Sequence, residues 1–414
     1  MRRGEQLRSL RHKNFRWFFL GETINTAGSS MSGIALSFAV LHIDNSPTAL
    51  GWVVAAWTVP MVAFMLIGGA IADRFPRALV LRGCNLLEGV TQAASAFLVL
   101  SGTAHIWQLI LLQFVSGTAV AISYPAFHGM VPVLLPEPDR KSAYLLLSQA
   151  QSALSIFGPA VAGILVAASS PGWALAIDAG TYVAAAFFLT LLKLPGRRVA
   201  TTTPHILADF RQGWSFSRAL GWVIPVACCS LVFNALISGA LNVLGPVIAK
   251  GTVGSTGWGY ARAAQAVGLF VFAFVLARIT LRRPLLACQV GFVTTAVPMF
   301  VLAVWAHTIP LSVAFFVSGC GSAVINLAWS MTVQEKVPEH MLSRVNAIDG
   351  FFSFVAMPVG QLLVGPAAHF LTPRQVELGA AALCVLTFLV GITRAPLRHL
   401  RLGEQAADAV QSSG

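Results

Sequence analysis

Few side chains in this chain of 414 residues can do chemistry in an apolar setting, and Glu22 is first among them. It lies about two turns into the first apolar stretch, and Asn25, Thr26, Ser29 and Ser30 beyond it give that helix a polar stripe. An unpaired charge in hydrocarbon costs about 3 kcal/mol or more unless a cavity, a partner or a proton relieves it. Glu22 with Asn25 is therefore the first candidate for proton carriage or for binding a cationic ligand, against the plainer reading of a helix contact at one end of the span. Glu88 in the third stretch and Asp178 in the sixth face the same cost. Arg262, in the eighth, sits near one membrane surface, where it gates a passage or snorkels to water.

Other chemistries find little support. The six cysteines fall in or beside apolar stretches, without metal-ligand spacing, so neither a disulfide nor a metal site is expected. Without a His/Asp/Glu ligand cluster, a Gly-x-Ser-x-Gly elbow or a phosphate-binding glycine loop, an intramembrane enzyme or a receptor is disfavoured, and no cofactor is expected.

The elements that must position these groups are membrane spans. With 56% hydrophobic and 10% charged residues the composition departs from soluble chains, which carry about a quarter charged residues. Runs long enough to cross about 30 Å of hydrocarbon fall near 15–41, 49–72, 79–101, 106–134, 143–168, 172–192, 220–249, 256–280, 284–306, 309–334, 345–370 and 376–396. The expected fold class is all-α and integral to the membrane, with twelve transmembrane helices. Of the 27 Lys and Arg residues, all but Lys250, Arg262 and Arg374 fall at or before the start of the first span, or at or beyond the end of an even-numbered one. By the positive-inside rule both termini are cytoplasmic. The net charge of +12 then reflects topology and attraction to anionic lipid on the cytoplasmic face, and nucleic acid is not an expected partner.

Residues 195–219 form the longest connection, joining a first half (1–194) to a second (220–414) that ends in a short cytoplasmic tail. Its middle, His205 to Phe216, reads as an amphipathic helix with Ile206, Phe210, Trp214 and Phe216 for the membrane interface and Asp209 and Arg211 for water. The halves echo one another: Leu135-Pro136-Glu137 matches Val337-Pro338-Glu339 at a displacement of 202 residues. Such a repeat is the plan of two six-helix, pseudo-symmetric halves with substrate bound near the midplane.

The loop Gly69-Ala70-Ile71-Ala72-Asp73-Arg74-Phe75-Pro76-Arg77 resembles the G-x-L-A-D-R-x-G-R signature of the major facilitator superfamily, with Pro76 where the pattern has Gly. Gly158-Pro159-Ala160-Val161-Ala162-Gly163 is similar to the Gly-Pro motif of its antiporters. With Ala176-Ile177-Asp178-Ala179, Gly245-Pro246-Val247, Val337-Pro338-Glu339 and Ser343-Arg344-Val345, the chain resembles the bacterial drug-antiporter branch that includes enterobactin exporters and macrolide-efflux proteins.

The resemblance implies a conformational gate in which Gly69 and Ala72 allow a close approach and Asp73 meets the N-terminus of helix eleven near Ser343 to Ala347. Asp349 then receives Arg74 or Arg77; the plainer reading is that these cations only set topology. It also implies that Gly158, Pro159 and Gly163 let span five bend against span eight, through coupling or as a structural kink. Helix one borders the central cavity in the resembled fold, whereas the helices of Glu88 and Asp178 are peripheral, which favours polar contacts within one half for those two. Gln113, four residues before Gly117, stands where many such antiporters have Arg, leaving Glu22 or Asp349 to bind protons. Ten aromatics on the spans (Trp52, Trp57, Phe64, Phe114, Tyr124, Phe127, Phe233, Trp329, Phe351, Phe352) mostly pack or meet lipid, and a minority suit a large apolar or cationic ligand.

The expected function is a monomeric secondary transporter of the bacterial inner membrane that exports amphipathic small molecules such as drugs, antibiotics or siderophore-like metabolites in exchange for protons. A facilitator importing a nutrient or osmolyte, or moving a lysolipid, remains the alternative.

Overall fold

The computed structural model describes residues 8–193, 206–276, 278–279, 281–393, 398 and 400; at 66, 67, 70, 72, 73, 206–210, 339, 340 and 343 it describes the backbone alone. Arg2, Arg3, Arg197, Arg198, Arg394 and Arg401, used above to orient the chain, lie outside the described residues, as do the side chains of Ile206, Asp209 and Phe210. Every regular element among the described residues is a helix.

The long helices are α1 (Lys13–Ile43), α2 (Pro47–Arg74), α3 (Arg77–Leu100), α4 (Ile106–His128), α5 (Glu137–Ala168) and α6 (Pro171–Thr190), followed after a linker helix (Ile206–Ala219) by α7 (Val223–Lys250), α8 (Gly254–Leu276), α9 (Pro284–Val304), α10 (Thr308–Lys336), α11 (Glu339–Phe370) and α12 (Pro373–Thr393). Two starts show the local logic: Ser46 and Ser170 accept hydrogen bonds from the backbone N–H groups of Ala49 and Gly172, and each precedes a proline whose missing N–H costs nothing at that position.

Among the described residues 11 helices are long and apolar enough to cross a membrane. Against the twelve spans expected, the exception is α3: its 24 residues suffice in length, but buried Asn85, Glu88, Thr91 and Gln92 lower its apolarity. The expected bounds need three further corrections. The fourth span ends at His128 and a short turn of helix, Met130–Leu134, follows it; α5 and α11 begin about six residues before their apolar runs; and α9 is interrupted at Thr295. Apolar runs register lipid, whereas helices continue into water wherever caps and charges satisfy their ends.

The chain divides into two compact units, Met1–Thr202 with Val253–Ala263 and Thr203–Thr252 with Ala264–Gly414. In the first, a core of Phe15, Phe18, Leu81, Met130, Val131, Leu135, Ala143 and Leu147 gathers one end of the helices. Beside it, buried Asp139 near the start of α5 pairs with Arg8 at 2.9 Å and with His12 at 2.9 Å, tying down the turn that precedes α1. In the second, Trp222, Val223, Val226, Leu285, Val333, Val337, Met341 and Val345 form the corresponding core. Val131 and Val333, Leu135 and Val337, and Ala143 and Val345 are each displaced by 202 residues, so the repeat seen in one tripeptide extends to core packing.

Glycines set how closely the helices approach. A Cβ at Gly117 would overlap the Trp57 carbonyl oxygen of α2, and one at Gly319, 202 residues later, would overlap the Gln265 carbonyl oxygen of α8. Gly158 on α5 lies against Ser30 of α1, and Gly360, again 202 residues on, lies against the Ala235 carbonyl of α7. Small residues at these points allow the backbone contact that membrane helices use in place of a hydrophobic driving force. Helix α7 widens into a π-helical turn over Ile237–Leu244, buried along most of its length, where Ser238 accepts a hydrogen bond from Gln361 at 2.9 Å.

The linker helix is present, and its Trp214 is committed to protein: the indole stacks on Phe352 of α11 at 6.1 Å and 3°. The aromatic face expected at the membrane interface is thus used in part for packing.

Candidate functional site

Polar side chains on the first unit's helices meet around one cavity. On α1, Glu22 and Asn25 are one turn apart. On α3, Leu81, Asn85 and Glu88 share a face, and on α4 Val120, Ser123, Tyr124, Phe127 and His128 do likewise, each set following the i, i+3/i+4, i+7 spacing of one helical side. With Gln151 of α5 and Tyr182 of α6 they line a space of about 450 Å³. Glu22 is half-buried at its wall; Glu88 is 3% exposed, with the Tyr182 hydroxyl as a hydrogen-bonding partner. Asn85 is also buried, and its Nδ2 has no hydrogen-bond partner among the described residues.

Farther along α3 and α6, Asp178 is fully buried in a separate polar cluster. The Gln92 amide donates to its carboxylate and, at 2.6 Å, to the Ser32 hydroxyl of α1. Gly28 makes this crossing possible, because a Cβ there would fall 2.7 Å from the Asp178 carboxylate. Asp178 is therefore held by neutral donors within the first unit, outside the cavity that contains Glu22 and Glu88.

The second unit has a cavity of about 380 Å³ of different character. Phe233, Phe292, Trp329 and Phe354 supply aromatic walls, Asn234, Asn326, Ser230, Ser322 and Ser353 supply neutral polar groups, and Asp349 is the carboxylate among the described lining residues. Of the ten aromatics singled out in the sequence, Tyr124 and Phe127 line the first cavity and Phe233 and Trp329 the second; Trp52, Phe114 and Phe351 are exposed.

The remaining candidates fall elsewhere. A Cβ at Gly69 would meet nothing within 4 Å; the close approach expected there belongs to Gly68, which lies against the Ala121 carbonyl of α4. The correction has a simple cause, since adjacent residues on a helix point about 100° apart and only one faces the neighbour. The Asp73 and Ser343 side chains lie outside the described residues, and Arg74 is exposed at the end of α2. Arg77 donates from Nη1 to the Gly129 carbonyl at the end of α4, where unsatisfied carbonyls favour a cation. Gln113 is buried on α4 outside the lining of the cavity, and Arg262 is half-buried two turns into α8.

Gly163 and Pro159 of α5 pack against the start of α8. A Cβ on Gly163 would lie 2.5 Å from the Ser255 carbonyl oxygen and one on Gly259 would lie 2.5 Å from that of Pro159. The Ser255 hydroxyl donates to the Gly163 carbonyl at 3.1 Å, which accounts for the grouping of residues 253–263 with the first unit.

Sequence reasoning missed Asn85, Gln151 and Tyr182. For Asn85 a signal existed, because it lies one turn from Glu88 on the same face of α3; Gln151 and Tyr182 are single polar residues whose meeting depends on how five helices converge.

A sequence profile of the Major Facilitator Superfamily matches residues 18–361. The multidrug efflux pump Tap of Mycolicibacterium fortuitum is 24% identical over 92% of this chain and 95% of its own length. Macrolide efflux protein A of Streptococcus pyogenes is 22% identical over 84% and 88%, and the enterobactin exporter EntS of Salmonella typhimurium is 24% identical over 96% of both chains. Among solved structures, nucleoside transporter NupG superposes with a TM-score of 0.69 at 12% identity, covering 92% of this chain and 98% of that one. An auto-inhibited POT family peptide transporter gives 0.72 at 12% identity over 94% and 98%. Together with the apolar helices and the repeat, the profile match over most of the chain establishes that it belongs to the major facilitator superfamily, a multi-pass membrane transporter family.

Proposed function

We propose that the chain exports amphipathic small molecules from the bacterial cytoplasm across the inner membrane in exchange for protons, by alternating access. The observation that carries this reading is the placement of Glu22 at the wall of a cavity bounded by polar and aromatic side chains, with no Lys or Arg among its described lining residues. The efflux proteins among its relatives support the direction of transport and the breadth of substrate. Cells expressing the protein should accumulate less of a cationic dye than cells without it, and a protonophore should remove the difference. Greater accumulation on expression would reverse the direction and favour uptake.

In this reading the chain acts as a monomer with both termini in the cytoplasm, Arg/Lys-rich loops against anionic lipid, and Asp44, Thr103, Ser170, Gly254, His307 and Arg374 near the outer surface. Single cysteines at those six positions should react with an impermeant maleimide added to intact cells. Labelling of His307→Cys and Arg374→Cys only after the cytosol is opened would overturn this topology.

Asp73, Arg74 and Arg77 of the signature loop act with Asp349 as the conformational gate, and Gly158, Pro159 and Gly163 are the flexing point of α5. Asp73→Asn weakens the closed state by about 1–3 kcal/mol, a 5- to 150-fold change in the population ratio. Export should fall strongly at equal membrane abundance; unimpaired export by this variant would reduce the loop to a marker of topology.

A further inference from the structure

The first cavity contains a second carboxyl group for which the exchange reading, resting on Glu22, has no use. Glu88 enters from α3, more deeply buried than Glu22. The titratable groups around it are Glu22 from α1, Asp178 and Tyr182 from α6, Tyr124 and His128 from α4, and Cys84 from α3 itself. Among the described lining residues the one basic side chain is His128, so two ionised carboxylates would share this space without a compensating Lys or Arg. Like charges so placed cannot both persist without protons or a bound cation.

Asn85 makes the cavity a place built for an occupant. It is 4% exposed, lines the same wall, and its Nδ2 has no hydrogen-bond partner among the described residues. A buried donor of this kind calls for an acceptor, which water filling the space or an ionised carboxylate in it supplies. Asp178, by contrast, accepts from Gln92 on one carboxylate oxygen and stands outside the cavity.

We propose that Glu22 and Glu88 form a graded exchange site for organic cations, in which a monocation displaces the proton of Glu22 and a dication displaces those of Glu22 and Glu88. The order follows from burial: the less deeply buried carboxyl of Glu22 ionises first, and the enclosed one of Glu88 ionises only when a second positive charge arrives. In each event a carboxyl O–H bond breaks, the proton leaves through the cavity to solvent, and the carboxylate left behind pairs with the ligand's positive charge. Net charge in the cavity is the same before and after. The number of protons exchanged is thus set by the charge of the cargo.

This proposal rests on the exchange reading above, and one experiment separates the two. Purified full-length protein in detergent is titrated calorimetrically with tetraphenylphosphonium, a permanent monocation, and with paraquat, a permanent dication, in buffers of different ionisation enthalpy, so that every proton counted comes from the protein. The wild type should release one proton for tetraphenylphosphonium and two for paraquat. Glu88→Gln should lower the paraquat count to one and weaken its binding about tenfold or more, and Glu88→Asp, which keeps a carboxyl group, should restore the second proton. A wild type that releases one proton for both ligands overturns the pair, and does so without any variant having to fold. Two protons for paraquat from Glu88→Gln also overturn it and leave Glu22 standing. An unchanged tetraphenylphosphonium count in Glu22→Gln, or a wild type that binds neither cation, overturns the exchange reading and the pair together.

Discussion

Glu22→Gln abolishes concentrative export of a monocation while the protein still reaches the membrane and still permits some downhill movement. The amide has nearly the shape of the protonated acid and cannot release a proton, so the transport cycle loses its exchange step while the half-buried wall position on α1 keeps its packing. Because one proton exchanges for one monocation, no net charge crosses and the driving force is the pH difference, worth about 1.4 kcal/mol per unit. Coupling to one proton sustains a gradient of roughly 10-fold per unit of imposed pH difference, and uncoupling should return the ratio to near unity. The measurement is steady-state accumulation in inverted vesicles with an imposed proton gradient, with Asp178→Asn as a comparison. Asp178 sits in a hydrogen-bonded cluster outside the cavity, so its substitution should act on stability and leave coupling per folded molecule intact. Unaltered pumping by Glu22→Gln, with unchanged pH dependence, would make Glu22 a packing residue and turn attention to Asp349.

The second large effect is structural. Gly117→Val places a Cβ on top of the Trp57 carbonyl oxygen and 3.0 Å from the Pro60 ring, so α2 and α4 must separate along a seam that Gly68 also closes. Overpacking in a well-packed interior costs about 1–3 kcal/mol, and a clash with backbone belongs at or beyond the upper end because no rotamer relieves it. Gly319→Val meets the Gln265 carbonyl of α8 in the same way and should behave alike in the second unit. Gly180→Val is the control: a Cβ there meets nothing within 4 Å on an exposed face of α6, and its effect should stay within about 0.5 kcal/mol. Melting temperature and monodispersity in detergent read all three. A Gly117→Val protein that melts with the wild type would show that the α2–α4 seam has slack.

The contrast between these variants shows what the sequence made legible. Glu22 stood out because a carboxylate with a polar stripe is anomalous in an apolar run, and helix bounds such as Ser46-Pro47 and Ser170-Pro171 carry their own capping chemistry. The repeat was visible in a single Leu/Val-Pro-Glu tripeptide, yet its deeper expression, in the glycine pairs 117/319 and 158/360, required knowing which faces touch. Gly68 and Gly69 are indistinguishable as letters; only helix phase against α4 decides that Gly68 makes the contact. Glu88 was the harder case. The resembled fold implies a peripheral place for its helix, and the side of α3 that carries Leu81, Asn85 and Glu88 shares a cavity with α1 only through the packing of α3 against α6 and α4. Long-range convergence of single polar residues leaves no periodic trace in one chain.

The wide turn in α7 bears on how the length of this protein can vary. An α-helix advances about 100° per residue, so inserting or deleting one residue rotates everything beyond it onto a different face. A π-helical segment is the form in which a helix absorbs an added residue without passing that rotation on. Ile237–Leu244 sits between the part of α7 that packs on α11 near Ala235 and the closing turn Gly245–Lys250, with Gly239 giving the widened backbone room beside Gly360. That stretch acts as an expansion joint: single-residue indels there can be taken up locally, whereas the same change in α4 would swing Tyr124, Phe127 and His128 away from the cavity.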